Sequence, residues 1–152
     1  MESPQLSIII ATHNCLELTR ACLESLRATT RELDAEWILV DDCSTDGTRE
    51  FLKEIAAPDV RIHLREERGS FAINNNLGAK MARADTLCLL NNDTILHPGW
   101  WQPMLAGFDV LEHPGFIGNV QRRPKFRRYD HIGVVFSPDG VLGLWERWQA
   151  RR

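Results

Sequence analysis

Most of the signatures that identify a chain at sight are missing from these 152 residues. No apolar run approaches the roughly 20 residues that span a bilayer, so no membrane-spanning helix is expected within these residues. The longest N-terminal run, Leu6 to Ala11, is too short for a signal core, and no charged-then-apolar leader precedes it. The cysteines Cys15, Cys22, Cys43 and Cys88 form no C-x-x-C pair, which argues against zinc and for small buried thiols in a reducing compartment. There is no G-x-x-x-x-G-K-[ST] loop, no G-x-G-x-x-G after the first apolar run and no G-x-S-x-G elbow. Internal repeats and low-complexity segments are absent as well. The expectation is one cytoplasmic α/β domain over residues 1–152, large enough for a real core.

What is present is a pair of acidic steps, each closing an apolar run. Trp37-Ile38-Leu39-Val40 leads into Asp41-Asp42, and Thr86-Leu87-Cys88-Leu89-Leu90 leads into Asn91-Asn92-Asp93. Such runs read as buried strands that end in loops. In open α/β sheets, ligands bind outside the carboxyl ends of the strands. Two carboxylate steps at strand ends therefore suggest one polar site, with a metal.

Strands and helices alternate through the first two-thirds of the chain. Leu6–Ala11, Trp37–Val40, Val60–Leu64 and Thr86–Leu90 are the expected strands. A helix carries Leu16, Leu23 and Leu26 on one face, and another carries Phe51, Leu52 and Ile55. Ser70 is the expected cap of a third helix reaching about Ala84. Trp100 to Glu112 has helical spacing between His97-Pro98-Gly99 and His113-Pro114-Gly115. This order predicts a mainly parallel sheet flanked by helices. Beyond Gly115, Phe116–Val120 and Ile132–Phe136 read as short extra strands. Ser137-Pro138-Asp139-Gly140 reads as a turn, and Val141–Trp145 as its return strand.

Charge is uneven. From Gln121 onward, Arg122, Arg123, Lys125, Arg127, Arg128, Arg147, Arg151 and Arg152 face only Asp130, Asp139 and Glu146. That excess is either a solvated surface or a peripheral contact with phosphates or an anionic membrane. No nucleic-acid signature accompanies it, so a nucleic-acid partner is not expected.

Several residues have chemical roles open to them. Asp42 can accept a nucleobase N–H, or hold a ribose or a metal, while Asp41 and Asp46 also suit turn capping. Asp93 suits a hard cation such as Mg²⁺ or Mn²⁺, which takes one or two carboxylates plus substrate phosphates. Asn91 or Asn92 can hold sugar or ribose hydroxyls. His13, after the first strand, can lie against a flat base. Of Asn74-Asn75-Asn76, Asn76 is the expected tether of a neighbouring loop. Trp100 and Trp101 read as packing residues.

Four blocks carry a resemblance: Ser7-Ile8-Ile9-Ile10-Ala11-Thr12-His13-Asn14; Val40-Asp41-Asp42-Cys43-Ser44-Thr45-Asp46-Gly47-Thr48; Phe71-Ala72 with Asn75-Asn76-Leu77-Gly78; and Leu89-Leu90-Asn91-Asn92-Asp93-Thr94. In order and spacing they resemble the family 2 glycosyltransferases of GT-A fold. His131-Ile132-Gly133 with Ser137-Pro138-Asp139-Gly140 resembles a later block of the rhamnosyltransferase-like members. The resemblance implies a Rossmann-like nucleotide-sugar-binding part in which Ala11, Thr12 and His13 line the base and Asp42 binds it. Asn91-Asn92-Asp93 then stands for a D-x-D-like motif, with Asn92 near the ribose and Asp93 on the metal. The implied reaction is inverting transfer from a nucleotide diphosphate sugar to a hydroxyl of a glycan or lipid-linked acceptor. Asn91 departs from the acidic residue of that motif. The acceptor-binding half and the catalytic base come later in the family than Arg152, and Asp130 and His131 are weak substitutes. A non-catalytic nucleotide-binding or interaction module derived from such an enzyme is the alternative reading.

Overall fold

The computed structural model describes residues 3–112, 115–119, 121–122, 129–131, 134–136 and 142–144. It divides into two compact units, residues 1–98 and residues 99–152. The first unit is built on a four-stranded parallel sheet in the order β3-β2-β1-β4, from β1 (Leu6–Thr12), β2 (Ala35–Asp41), β3 (Val60–Leu64) and β4 (Leu87–Leu89). Helices α1 (Leu16–Thr29), α2 (Thr48–Glu54) and α3 (Phe71–Met81) connect them. This is the α/β, mainly parallel architecture that the alternation predicts.

Strands β1 and β2 are buried on both faces, as continuous Ile/Leu/Val runs in a parallel sheet should be. Ile9, Ile38 and Val40 share one face and pack under α3. Alternation sends Ile8, Ile10, Trp37 and Leu39 to the other face, where Arg27 of α1 lies over the Trp37 ring. Helix α3 comes unusually close to β1. A Cβ on Gly78 would lie 2.4 Å from Ile9 Cγ2, so only glycine fits there.

Several expectations need correcting. Strand β4 is shorter than Thr86–Leu90 and is not buried: Leu87 and Leu89 are exposed. It pairs only with β1 among the described residues, so it has the burial of an edge strand. Helix α3 begins at its Ser70 cap as expected, the hydroxyl accepting Ile73 N–H, but stops at Met81 rather than near Ala84. Residues 83 and 84 leave the helix because the sheet holds them. Asn76 is exposed, and the buried pair is Asn74 and Asn75, because positions 74, 75 and 78 share the inner helical face. Of the cysteines, Cys22 is buried, but Cys15 is exposed.

That hold on residues 83 and 84 is a polar cluster at the amino edge of the sheet. Glu36, 1% exposed, accepts the Ser7 hydroxyl at 2.6 Å, the Arg83 N–H at 2.6 Å, Arg83 Nε at 2.8 Å and Arg61 Nη2 at 2.8 Å. Ser7 Oγ in turn accepts Ala84 N–H, and Arg61 reaches the Met81 carbonyl. Burial alone would raise the Glu36 pKa. The Ser7 hydroxyl, Arg83 and Arg61 outweigh it and hold the carboxyl below its ordinary range.

The second unit holds α4 (Gln102–Val110), the antiparallel pair β5 (Gln121–Arg122) and β6 (Tyr129–His131), and the antiparallel pair β7 (Val134–Phe136) and β8 (Leu142–Leu144). Helix α4 is narrower than the Trp100–Glu112 expected, with Pro103 in its first turn. Trp100 is buried, as a packing residue should be, and its carbonyl accepts the Asn119 amide. Residues 116–119 are not a strand, and pairing starts at Gln121. Strands β7 and β8 match the expected hairpin arms, while the turn at 137–140 lies outside the described residues.

Two substitutions test this account. Glu36→Ala should cost about 2–3 kcal/mol in urea denaturation, since the two arginines it abandons are partly exposed and become hydrated. With its folded pKa depressed, Glu36 stabilises the fold above its unfolded pKa, and that contribution disappears as pH falls through the folded value. Glu36→Gln should therefore lack that acid limb. Gly78→Ala should cost about 1–3 kcal/mol through overpacking against Ile9, despite the better helix propensity of alanine.

Candidate functional site

The candidate site is assembled at the carboxyl edge of the sheet. The chain runs β1, β2, β3 in one direction, then returns past β1 to β4, so the switch of direction falls between β1 and β4. Crevices at such switches are the ligand positions of open α/β sheets. Thr12 ends β1 and His13 follows it, Asp42 follows β2 and Asn91-Asn92-Asp93 follows β4.

Thr12, 2% exposed, joins the three. Its carbonyl accepts Asp42 N–H at 2.8 Å. Its hydroxyl lies 3.2 Å from the Thr19 hydroxyl and accepts Asn92 Nδ2 at 3.2 Å. Asn92 also donates to Thr19 Oγ1 at 3.0 Å. The Asn92 amide nitrogen is thus turned into the fold. Ala11 is half-buried within β1. Asn91 and Asp93 are exposed.

Asp42 is 4% exposed and heavily partnered. Oδ1 accepts Gly69 N–H at 2.7 Å and lies 3.4 Å from Arg65 Nε, and Oδ2 lies 3.2 Å from Arg68 Nε. His13 Nδ1 is 2.8 Å from the Asp42 carbonyl, which can only accept, so that nitrogen carries the proton. His13 Nε2 is left to accept from Asn14 Nδ2 and Arg68. Arg65, Arg68 and Gly69 were not singled out in the sequence. Their signal was the compact loop Arg65-Glu66-Glu67-Arg68-Gly69, but nothing local shows that it folds onto β2. Gly69 permits the approach, because a Cβ there would lie 3.0 Å from Asn74 Oδ1 and 3.2 Å from Arg65 Nη2.

Asp41 and Asp46 do structural work. Asp41 is fully buried; Oδ2 accepts Ser44 N–H and lies 3.7 Å from Arg49 Nε. Asp46 accepts the Thr48 hydroxyl and N–H and also Leu16 N–H. The Thr48 hydroxyl is the main reason that its carboxyl is held below the usual range.

The loops after β1 and β2 are also stitched to each other. Asn14 N–H donates to Ser44 Oγ at 2.7 Å, and Asn14 Oδ1 accepts Thr45 N–H at 2.8 Å. Three non-glycine residues there have left-handed backbone, Asn14 (φ 55°), Cys15 (φ 62°) and Cys43 (φ 60°). Such strain gathers at functional sites, where surrounding bonds hold it.

The donor chemistry fits a divalent cation shared with a ligand. Among the described residues no group of three or more His, Cys, Asp and Glu side chains could cage a metal. The exposed Asp93 carboxylate would offer such an ion one hard oxygen, the usual protein share when substrate phosphates complete the shell.

Residues 7–146 match the model of the family described as glycosyl transferase family 2. The chain belongs to glycosyltransferase family 2. The protein y4gI of Sinorhizobium fredii, itself uncharacterized, is 32% identical over 147 residues, 93% of this chain and 16% of that protein. The family 2 chain also superposes on residues 1–349 of S. aureus TarS in complex with UDP-GlcNAc, with TM-score 0.62 and 22% identity over 69% of the chain and 31% of that TarS segment. A mannosyltransferase of Pyrobaculum calidifontis, in complex with GDP-Man and Mn²⁺, gives TM-score 0.53 and 24% identity over 60% of the chain and 28% of the neighbour. These likenesses establish the GT-A fold. The chain spans less than a third of each of these proteins. Among the described residues no helix is long and apolar enough to cross a membrane.

The left-handed turn at Asn14 offers a direct test. Asn14→Ala should cost about 2–3 kcal/mol, roughly half from forcing alanine into that backbone and half from the lost Thr45 bond. Asn14→Gly should recover the backbone part and retain the loss of the bond, which chemical denaturation of the two variants separates.

Proposed function

We propose that this chain is the donor-binding part of an inverting glycosyltransferase that takes a sugar from a metal-bound nucleotide diphosphate sugar to an acceptor hydroxyl. The observation that supports it most is the Thr12 junction, which gathers the Asp42 step and the Asn91-Asn92-Asp93 step at one sheet edge. Neighbours of the same fold hold UDP-GlcNAc and, in one case, GDP-Man with Mn²⁺.

In this reading Asp42 accepts an N–H of the base, with Ala11, Thr12 and His13 beside it. Arg68, already on Asp42 Oδ2, has to share or yield that oxygen. Asn91 lies on the ribose side, Asn92 reaches it only with its amide oxygen because its nitrogen is held by Thr12 and Thr19, and Asp93 holds Mg²⁺ or Mn²⁺ against the diphosphate. The cation would act as a Lewis acid, stabilising the charge that gathers on the leaving diphosphate. The acceptor, a glycan or lipid-linked sugar, has no residue assigned to it here. Asp130 and His131 lie on β6, in the other unit. The basic residues from Arg122 onward would place a cytoplasmic enzyme against an anionic membrane surface.

A second reading, a nucleotide-binding module without catalysis, is supported by the same assignment: every role proposed above belongs to the donor and none to the acceptor. Calorimetric titration with UDP, GDP and dTDP, with and without Mn²⁺, tests the common core of both. One of these should bind, and Mn²⁺ should tighten it. Asp42→Ala should weaken binding about tenfold or more in either condition. Asp93→Ala should abolish the Mn²⁺-dependent gain alone; equal metal dependence in the two proteins refutes its assignment. Glycosyl transfer from a panel of nucleotide sugars then separates enzyme from binding module.

A further inference from the structure

Helix α1 carries polar side chains at three-residue intervals, Thr19, Cys22 and Ser25, which therefore lie along one face. Each meets the segment that follows β4. Thr19 Oγ1, in a fully buried residue, accepts Asn92 Nδ2 at 3.0 Å. Cys22 Sγ donates to the Asn91 carbonyl at 3.5 Å. Ser25 Oγ accepts Leu96 N–H at 3.0 Å while donating to the Cys22 carbonyl at 2.8 Å. Burial pushes the Cys22 thiol up to about 11, so it stays protonated and able to donate. A segment with little regular structure is thus bound at three points by a rigid helix. Asp93 itself makes none of these bonds and lies between the anchored residues.

We propose that Thr19, Cys22 and Ser25 form a polar shelf that sets the conformation of residues 91–96 and thereby the position of the Asp93 carboxylate. None of the three touches the ligand; they are positioning residues. The role given to Asp93 rests on the donor-binding reading above, whereas the shelf itself does not. The shelf also explains why Asn92 points its amide inward. Thr19 is its central member, because its hydroxyl meets both Asn92 and Thr12, and so links the metal side of the site to the base side.

Thr19→Val removes the hydroxyl at nearly constant volume, and Thr19→Ser keeps it. Hydrogen exchange of the full ligand-free chain should show residues 91–96 exchanging about fivefold faster in Thr19→Val, with β2 and β3 unchanged and Thr19→Ser close to wild type. Unchanged exchange in Thr19→Val, or equal acceleration across the sheet, overturns the shelf. The Mn²⁺-dependent gain in UDP or GDP affinity should fall about fivefold in Thr19→Val, beyond any change in metal-free affinity, and return in Thr19→Ser. If both affinities fall by one factor, or the gain persists, the shelf does not position Asp93. If the wild type shows no Mn²⁺-dependent gain while the exchange result holds, the metal reading fails and the shelf stands.

Discussion

The carboxyl edge of the sheet depends on Thr12. One residue, nearly excluded from solvent, spends its carbonyl on the backbone of Asp42 and its hydroxyl on Asn92 and Thr19. Buried polar groups without partners are costly, so these bonds are strongly preferred once the strands align. Three chain segments, far apart in sequence, are thereby brought to one place. The strained turns at Asn14, Cys15 and Cys43 are held around that point by bonds between the two loops.

The opposite edge of the sheet answers a different need. Glu36 gathers Ser7, Arg61 and Arg83 and pins the end of α3. With Gly78 seated against Ile9, α3 is fixed along its length. The start of α3 matters for the site, because Gly69 and Ser70 precede it and Gly69 N–H holds Asp42. A carboxylate buried at the amino edge therefore supports the placement of one at the carboxyl edge. The two differ in kind: Glu36 is satisfied by fixed partners, whereas Asp42 shares one oxygen with the exposed Arg68.

Much of this was legible in the residues. Alternation of apolar runs with helical spacing foretold the parallel sheet, and Asp42, Asn91, Asn92 and Asp93 stood out as polar steps at strand ends. The tether expected at Asn76 falls on an exposed position, and Asn74 and Asn75 are the buried ones, since three consecutive asparagines give no helical phase of their own. The arginines of the β3–α3 loop passed unnoticed because charge in a loop ordinarily means solvent. The exposure of Leu87 and Leu89 was hidden for a related reason. An apolar triplet has the same composition at an edge as at the centre, and only its pairing distinguishes the two.

By itself, then, the sequence determined the element order and the strand ends that carry acids. These follow from local rules, the period of apolar residues and the chemistry of turns. The family came instead from the likeness of whole sequence blocks to known members. Tertiary structure alone decided which way each polar side chain faces. It turned Asn92 inward onto Thr12 and Thr19, gave Asp42 its arginines and made α1 a support for the loop bearing Asp93. Those outcomes depend on distances between segments as much as 80 residues apart, as for Thr12 and Asn92. Local patterning carries no such distance; only the register of packed strands and helices does.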